Sequence, residues 1–321
     1  MFCKDLQIPL SIEKNQALLW RLPLHHQKYP VVEKDLKKKK AGYNGESTVY
    51  YHLSFLKDKR YKIFHNVRLP LFSKYFQIDF LILTPAYILL IEVKNISGMV
   101  SIDPFIKQLT RTRNGVAEGF NDPVSQVQRQ KLLLQKWFSV QKLKHPPIEH
   151  LVVFSHPSTI LNYAKTPPKD SPYRNIIHAQ NIIDKIKEVN NALSKEVLSD
   201  REVNRIKKLI LKSHMENELD VELTYGITKT DIITGVRCEH CEHIPMTRVY
   251  ASWRCGKCER FGKYAHHQAI RDYFLLINKN ITNRELRDFL HLSSRTTAYK
   301  MLKEFKMEGE RKAAFYYNPQ K

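Results

Sequence analysis

Apolar positions change period several times along the chain, and each change marks a segment of different predicted structure. From Gly45, the residues Val49, Leu53 and Leu56 recur at helical spacing, and three β-rich segments follow: Tyr61 to Leu69, Phe76 to Leu83 and Tyr87 to Val93. After Gly98 a short strand, Met99 to Ile102, gives way to a polar loop. Asp122-Pro123 predicts the start of a long helix reaching Gln141, because proline suits the first helical position. Glu149 to Ser155 is a further apolar strand. Helix, strands, helix and strand together predict an α/β domain over residues 43–165.

The flanking segments are read more coarsely. Residues 1–42 mix polar and apolar positions without a clear period and end in Lys37, Lys38, Lys39 and Lys40, which predicts a solvated N-terminal arm. Thr166 to Arg174 is proline-rich, and Ile182, Ile183 and Ile186 followed by Val203, Ile206, Leu209 and Ile210 predict a helical connector over 166–230. In 267–321, Gln268 to Asn278 reads as a helix and Thr282-x-x-Glu285 as a capping box opening the next. Ser293 and Ser294 begin a third helix, in which Ala298, Met301, Leu302 and Phe305 form the apolar stripe. That leaves Arg295, Thr296, Tyr299, Lys300, Lys303 and Lys306 mostly on the other face. The arrangement resembles a helix-turn-helix, with Ser294 to Lys306 as recognition helix and Phe315 to Tyr317 as a wing strand. The turn His291-Leu292-Ser293 lacks the glycine often found there, and a small three-helix bundle that binds protein is the alternative.

Charge narrows the partners. In 321 residues, 53 Lys and Arg oppose 32 Asp and Glu, a formal charge of +21 that exceeds what solubility needs and favours a polyanion, nucleic acid first. A generally basic surface is the bland alternative. The first thirty residues contain no continuous apolar run of signal-peptide type, and the longest apolar runs elsewhere are strand-sized, so a soluble, cytoplasmic protein without membrane contact is expected.

Five cysteines include the pairs Cys238-x-x-Cys241 and Cys255-x-x-Cys258, a spacing that suits four thiolates around one Zn²⁺ in a reducing compartment. Iron in a rubredoxin-like site is the rival. The residues between the pairs suit a short hairpin, so 231–266 reads as a zinc ribbon stabilised by its metal. Zinc ribbons bind nucleic acid or protein, and the spacing does not choose.

The most informative charges interrupt the β-rich segments. Pairing Leu83 with Ile88 across the four-residue loop Thr84 to Tyr87 sets Asp79 opposite Glu92, whereas pairing Leu83 with Tyr87 sends the two acids to opposite faces. The first register is the one expected. Glu92 and Lys94 share a face in either case. The strands are otherwise apolar on both faces, so these charges need compensation, and a divalent cation between two carboxylates supplies it. An internal salt bridge of Lys94 with Asp79 or Glu92 is the purely structural alternative, and it leaves one acid without a partner.

Gly45-Glu46, Gln77-Ile78-Asp79-Phe80, Glu92-Val93-Lys94-Asn95 with Gly98, and Asp122-Pro123 with Gln126 and Gln130 together resemble the NERD (nuclease-related) domain, grouped with the PD-(D/E)xK nucleases. The resemblance covers residues 43–155. It implies a restriction-endonuclease-like mixed sheet flanked by helices, followed here by the zinc ribbon and the small helix-turn-helix-like domain. It also implies Asp79 and Glu92 as ligands of Mg²⁺ or Mn²⁺, completed by the Val93 carbonyl, with Lys94 orienting water or steadying phosphate charge. Glu46 would be an accessory acid, unless it serves only the dipole at the start of its helix. Gln126 and Gln130 share a helix face that could approach the site. The function expected is metal-dependent phosphodiester cleavage, chiefly of DNA, with protein partners open to the ribbon. A non-catalytic DNA-binding or regulatory protein that keeps the fold is the alternative.

Overall fold

The computed structural model describes residues 1–310 and 314–317. In chain order, β1 (Phe2–Lys4) and α1 (Leu10–Arg21) precede the long helix α2 (Tyr29–Leu53). Strands β2 (Lys62–Leu71), β3 (Lys74–Leu83), β4 (Ile88–Lys94), β5 (Gly98–Asp103), β6 (Gln108–Arg113) and β7 (Val116–Phe120) follow. Then come α3 (Pro123–Val140), β8 (Ile148–Phe154), β9 (Thr159–Tyr163), β10 (Ile176–His178), α4 (Ile182–Ala192), α5 (Asp200–Ser213) and α6 (Val221–Tyr225). The C-terminal part holds β11 (Thr247–Val249), β12 (Ser252–Arg254), β13 (Phe261–Gly262), α7 (Ala265–Leu276), β14 (Asn280–Ile281), α8 (Asn283–Leu290), α9 (Arg295–Leu302), β15 (Lys306–Glu308) and β16 (Phe315–Tyr317). The chain divides into two compact units: residues 1–8 with 40–217, and residues 9–39 with 218–321.

The first unit is built on a mixed six-stranded sheet of order β1-β2-β3-β4-β8-β10. Both faces are covered, which is why its central strands read as unbroken apolar runs. Leu81, Leu83 and Leu90 pack with Val127, Leu134 and Trp137 of α3 and with Ile206 and Ile210 of α5. Phe80, Ile82, Leu89 and Ile91 pack with Val49 and Leu53 of α2 and with Ile182 and Ile186 of α4. Leu83 pairs with Ile88, so the hairpin takes the register expected to align the two acids. β4 and β8 run parallel, and the crossover between them carries β5 to β7 and α3.

One irregularity shapes the sheet. Phe76 and Ile78 face the α3 side, but Phe80 and Ile82 face the α2 side, so the two-residue alternation breaks at Asp79. Across the ladder the register runs His65–Phe80 and then Val67–Ile78, leaving Asn66, whose φ is +50°, and Asp79 opposite it unbridged. Such breaks bend a sheet and re-aim a side chain.

Three expectations need correction in this unit. The polar loop after residue 102 is instead β6 and β7, which with β5 and β9 form a second, four-stranded sheet. These strands escaped notice because they bury little beyond Leu109, leaving no apolar alternation to read. The connector 166–230 is not a connector through residue 217: β10 extends the main sheet beside β8, and α4 and α5 supply core residues on opposite faces. The arm, residues 1–42, is in fact β1, α1 and the first half of α2, and its lysine run lies within the helix. The long helix α3 and the strand β8 stand where they were expected, with the Asp122 carboxylate accepting from the N–H groups of Val124 and Ser125.

In the second unit, α1 and the start of α2 join the C-terminal part, with Leu18, Leu22 and Val32 packed on Tyr225, Ile227 and Ile232. Arg21, fully buried on α1, has Nε 2.7 Å from Asp272 Oδ2 of α7, donates Nη1 to the carbonyls of Ile233 and Gly235, and lies over the Phe289 ring. The regions 231–266 and 267–321, expected as separate domains, share one core: Trp253 and Cys255 pack in the same cluster as Ile270, Leu286 and Leu302. A ribbon this small has no interior of its own, so it borrows one. The fold class is as expected, a mixed α/β architecture with sheets flanked by helices, a four-cysteine cluster and a C-terminal helical region.

Candidate functional site

The paired ladder between β3 and β4 ends at Phe80–Ile91, one step before Asp79 and Glu92. There the strands stop exchanging backbone hydrogen bonds, and the Val93 N–H donates to Asp79 Oδ2 at 2.9 Å. The alternation break described above delivers the Asp79 side chain to this point. Lys94 Nζ lies 2.7 Å from Glu92 Oε1 and 3.0 Å from Gln126 Oε1. Gln130 Nε2 donates to the other Glu92 oxygen at 2.9 Å. Gln126 and Gln130 are one helical turn apart on α3, so a single helix face presents both amides to the site.

Glu46 arrives from α2. It lies deep inside that helix rather than in its first turn, so the helix-dipole explanation for an acid there does not hold. Two features fix its place. Gly45 packs so tightly that a Cβ would stand 2.7 Å from both Asn95 Cβ and Ser155 Oγ, at the ends of β4 and β8. The fully buried His65 ring sets Nε2 2.6 Å from Glu46 Oε2. With Nε2 turned to the carboxylate, His65 Nδ1 is a buried atom without a hydrogen-bond partner.

Electrostatics ties the acids together. Burial, the Glu92 carboxylate and the Glu46 carboxylate, in that order, push the Asp79 carboxyl well above the usual range, against the Val93 N–H and the Lys94 ammonium. Three carboxylates and one lysine therefore bear on one small volume, and the Lys94–Glu92 pair compensates only part of the charge. This donor set, all oxygen and net negative, fits a hard divalent cation. Asp79, Glu92, Lys94, Glu46 and Gln126 are all brought together; Val93 reaches the site by its N–H. Among the described residues, the acids do not close into a tight three-ligand cluster, because Glu92 is held by Lys94 and Gln130 and Glu46 by His65.

Residues 41–155 match the family model described as nuclease-related domain, NERD. Over these residues the chain is similar to the NERD domain. No match was found among curated proteins or among solved structures. The match suggests a nuclease-related function and implies interaction with nucleic acid. Sequence reasoning missed His65 because its strand also carries Lys62, Asn66 and Arg68, so one more polar residue does not stand out, and its partner Glu46 is 19 positions away.

Cys238, Cys241, Cys255 and Cys258 form the one cluster of potential metal ligands among the described residues, with their sulphurs all within 4.8 Å of one another. Cys238 and Cys258 sulphurs are 3.7 Å apart and those of Cys241 and Cys255 3.5 Å. A tetrahedral ion with bonds of about 2.3 Å spaces its sulphurs about 3.8 Å apart, so the cluster fits one. The two pairs turn alike: Glu242 and Glu259, each four residues after the first cysteine, donate N–H to that cysteine's carbonyl and have left-handed φ of +63° and +58°. The N–H groups of Lys257 and Cys258 point at the Cys255 sulphur, which favours thiolate. The cluster, with the three-stranded sheet of β11, β12 and β13, is compatible with a zinc ribbon.

In the C-terminal region the sheet order is β14-β16-β15, and α8 and α9 are joined by His291 to Ser294. His291 takes the left-handed φ of +57° that a glycine often supplies in such a turn. Ala298, Met301 and Leu302 are buried, and Arg295, Thr296, Tyr299, Lys300 and Lys303 are exposed, as the helical pattern requires. A groove of about 670 Å³ is lined by Arg284, Arg287, Arg295 and Tyr299, among others.

Proposed function

We propose that the protein is a divalent-metal-dependent nuclease that cleaves phosphodiester bonds in DNA. The observation that carries this reading is the gathering of Asp79, Glu92 and Glu46 with one lysine where the β3–β4 ladder opens. In this reading Asp79, Glu92 and the Val93 carbonyl hold Mg²⁺ or Mn²⁺. Such an ion, when bound, acidifies a coordinated water and offsets charge on the scissile phosphate.

The chain's own residues do the rest. The Val93 N–H holds Asp79 by one oxygen, Oδ2. Lys94, aimed by Glu92 and Gln126, keeps a third N–H for a phosphate oxygen or the attacking water. Glu46, oriented by His65, is the accessory acid placed to accept a proton from water. Gln130 keeps Glu92 from rotating away.

The four cysteines hold Zn²⁺ as a structural ion in this reading. The C-terminal region serves as a winged helix-turn-helix in which Arg295, Thr296, Tyr299, Lys300 and Lys303 meet DNA, with the overall charge of +21 adding salt-sensitive affinity. No helix among the described residues is long and apolar enough to cross a membrane. One observation favours a second reading, a DNA-binding or regulatory protein without catalysis: both Glu92 oxygens are already engaged, by Lys94 and Gln130.

The test is cleavage of linear, circular and single-stranded DNA and of RNA in Mg²⁺, Mn²⁺ or EDTA. Metal-dependent cleavage lost in both Asp79→Ala and Lys94→Ala is the expected result. Cleavage that survives both substitutions sinks the site assignment, and tight binding without cleavage in any metal favours the second reading.

A further inference from the structure

The three-stranded sheet of the cysteine ribbon has one face inside the protein and one outside. Trp253, fully buried, and Met246 belong to the core shared with α7. On the opposite face, Arg254 of the central strand pairs in register with Thr247 on one side and Phe261 on the other, and all three are exposed. The hairpin tip beside this row is Tyr250, 98% exposed. Phe261 is 63% exposed, and Tyr264, just after the sheet, is 60% exposed. A small module thus leaves three aromatic rings in water while burying its tryptophan.

Two further observations say what these rings meet. From Arg248 to Lys263 the basic residues are Arg248, Arg254, Lys257, Arg260 and Lys263, and the single acid is Glu259, which pairs with Arg254 at 2.9 Å. Arg248 lies over Trp253 on the inner face, so the outward cations are Arg254, Lys257, Arg260 and Lys263, which outnumber the exposed Glu259 and leave a net positive surface complementary to phosphate. Tyr250 also adopts a left-handed φ of +51° in a two-residue turn, where glycine, asparagine or aspartate is the cheaper residue. A bulky ring held in a disfavoured conformation, with no packing to repay it, marks a position kept for contact.

We infer that this outward face binds single-stranded nucleic acid, with unpaired bases stacked on Tyr250 and Phe261 and the backbone tracked by Lys257, Arg260 and Lys263. Exposed rings interleaved with cations suit strands whose bases are accessible, since every base has a face to stack; a duplex offers its bases only at ends and grooves. The inference rests on the nucleic-acid reading above and names its substrate class: DNA with an unpaired segment.

The experiment uses full-length, zinc-loaded protein carrying Asp79→Ala, so that binding is read without cleavage. Fluorescence anisotropy with labelled oligo(dT) and with a duplex of equal length gives the two affinities. Adding Tyr250→Ala and Phe261→Ala together should weaken oligo(dT) binding about tenfold or more, and leave the duplex affinity unchanged. Tyr250→Trp with Phe261→Trp should keep single-strand binding, and Lys257→Glu with Lys263→Glu should flatten its salt dependence. Unchanged zinc content and melting temperature rule out misfolding as the cause. Single-strand affinity untouched by removal of both rings overturns the inference, as does an equal loss for duplex. Failure to bind any nucleic acid overturns the underlying reading as well.

Discussion

His65 Nε2 stands 2.6 Å from Glu46 Oε2, the ring fully buried and the carboxylate 18% exposed. The histidine touches the site only through Glu46, so it is a positioning residue. His65→Leu fills the same pocket without the hydrogen bond and frees the carboxylate to rotate. Partners of this kind are worth roughly 10–100-fold in activity or metal affinity. The expected outcome is a loss of cleavage in that range with a raised Mg²⁺ requirement, and a melting temperature within a few degrees of the parent. An unchanged Mg²⁺ dependence would remove the positioning role.

Asp79 gives a pH prediction. Its carboxyl is raised by burial and by the Glu92 and Glu46 charges, so the folded protein holds that proton more tightly than the unfolded chain does. Stability from this group is therefore greatest in acid and falls as pH rises above about 4, toward the raised folded value. Asp79→Asn removes the penalty and should raise the melting temperature of metal-free protein at neutral pH by roughly 2–4 °C. Mg²⁺ should raise it in the parent and not in the variant. The same Mg²⁺ shift in both would show that the ion binds elsewhere.

Two glycines of α2 make a matched pair. A Cβ on Gly42 meets nothing within 4 Å, whereas on Gly45 it would stand 2.7 Å from Asn95 Cβ and Ser155 Oγ. Gly42→Ala should stabilise by roughly 0.5–1 kcal/mol through helix propensity. Gly45→Ala gains the same but forces apart the ends of β4 and β8, a clash costing about 1–3 kcal/mol, so the sign reverses. Denaturant titration of both variants checks this; equal stabilisation would mean α2 does not press on the site as closely as described.

Removing the metal from the cysteine cluster should destabilise more than the ribbon. Cys255 and Trp253 lie in one core with α7, α8 and α9, so chelation or Cys255→Ser should lower the melting transition of the whole second unit. The first unit has its own core and should melt where it did before. One equivalent of zinc by elemental analysis is the content expected of the native state. A C-terminal region that melts unchanged without metal would show that the shared core does not depend on the ribbon.

How much of this could be read from sequence depended on burial. β3 and β4 were legible because both faces are covered, and Asp79, Glu92 and Lys94 stood out as charges within apolar runs. The C-terminal helices declared themselves by the Thr282–Glu285 capping box and by buried Ala298, Met301 and Leu302. β6 and β7 did not, although Asn114-Gly115, both with positive φ, is a hairpin signal that outweighs their polar composition. α1 was hidden for another reason. Its inward face includes Asn15 and Arg21 as well as Ile12 and Leu18, so buried polar residues break the apolar stripe. Long-range partners such as His65 with Glu46 leave no local trace at all.

Arg21 and Asp272 test the least expected part of the organisation, the return of the N-terminal helix to the C-terminal unit. Both side chains are fully buried at 2.7 Å, and burial pushes the Asp272 carboxyl up despite the guanidinium beside it. Removing one partner leaves the other charge in the interior, which typically costs 3–5 kcal/mol. Asp272→Ala should therefore destabilise the second unit by roughly that amount, although residue 272 lies far in sequence from α1. The double variant Arg21→Met with Asp272→Leu replaces the pair with apolar groups of similar reach and should recover much of the loss. Equilibrium unfolding of the parent and the two variants decides it: a double variant no more stable than Asp272→Ala would mean the two residues do not share one buried site.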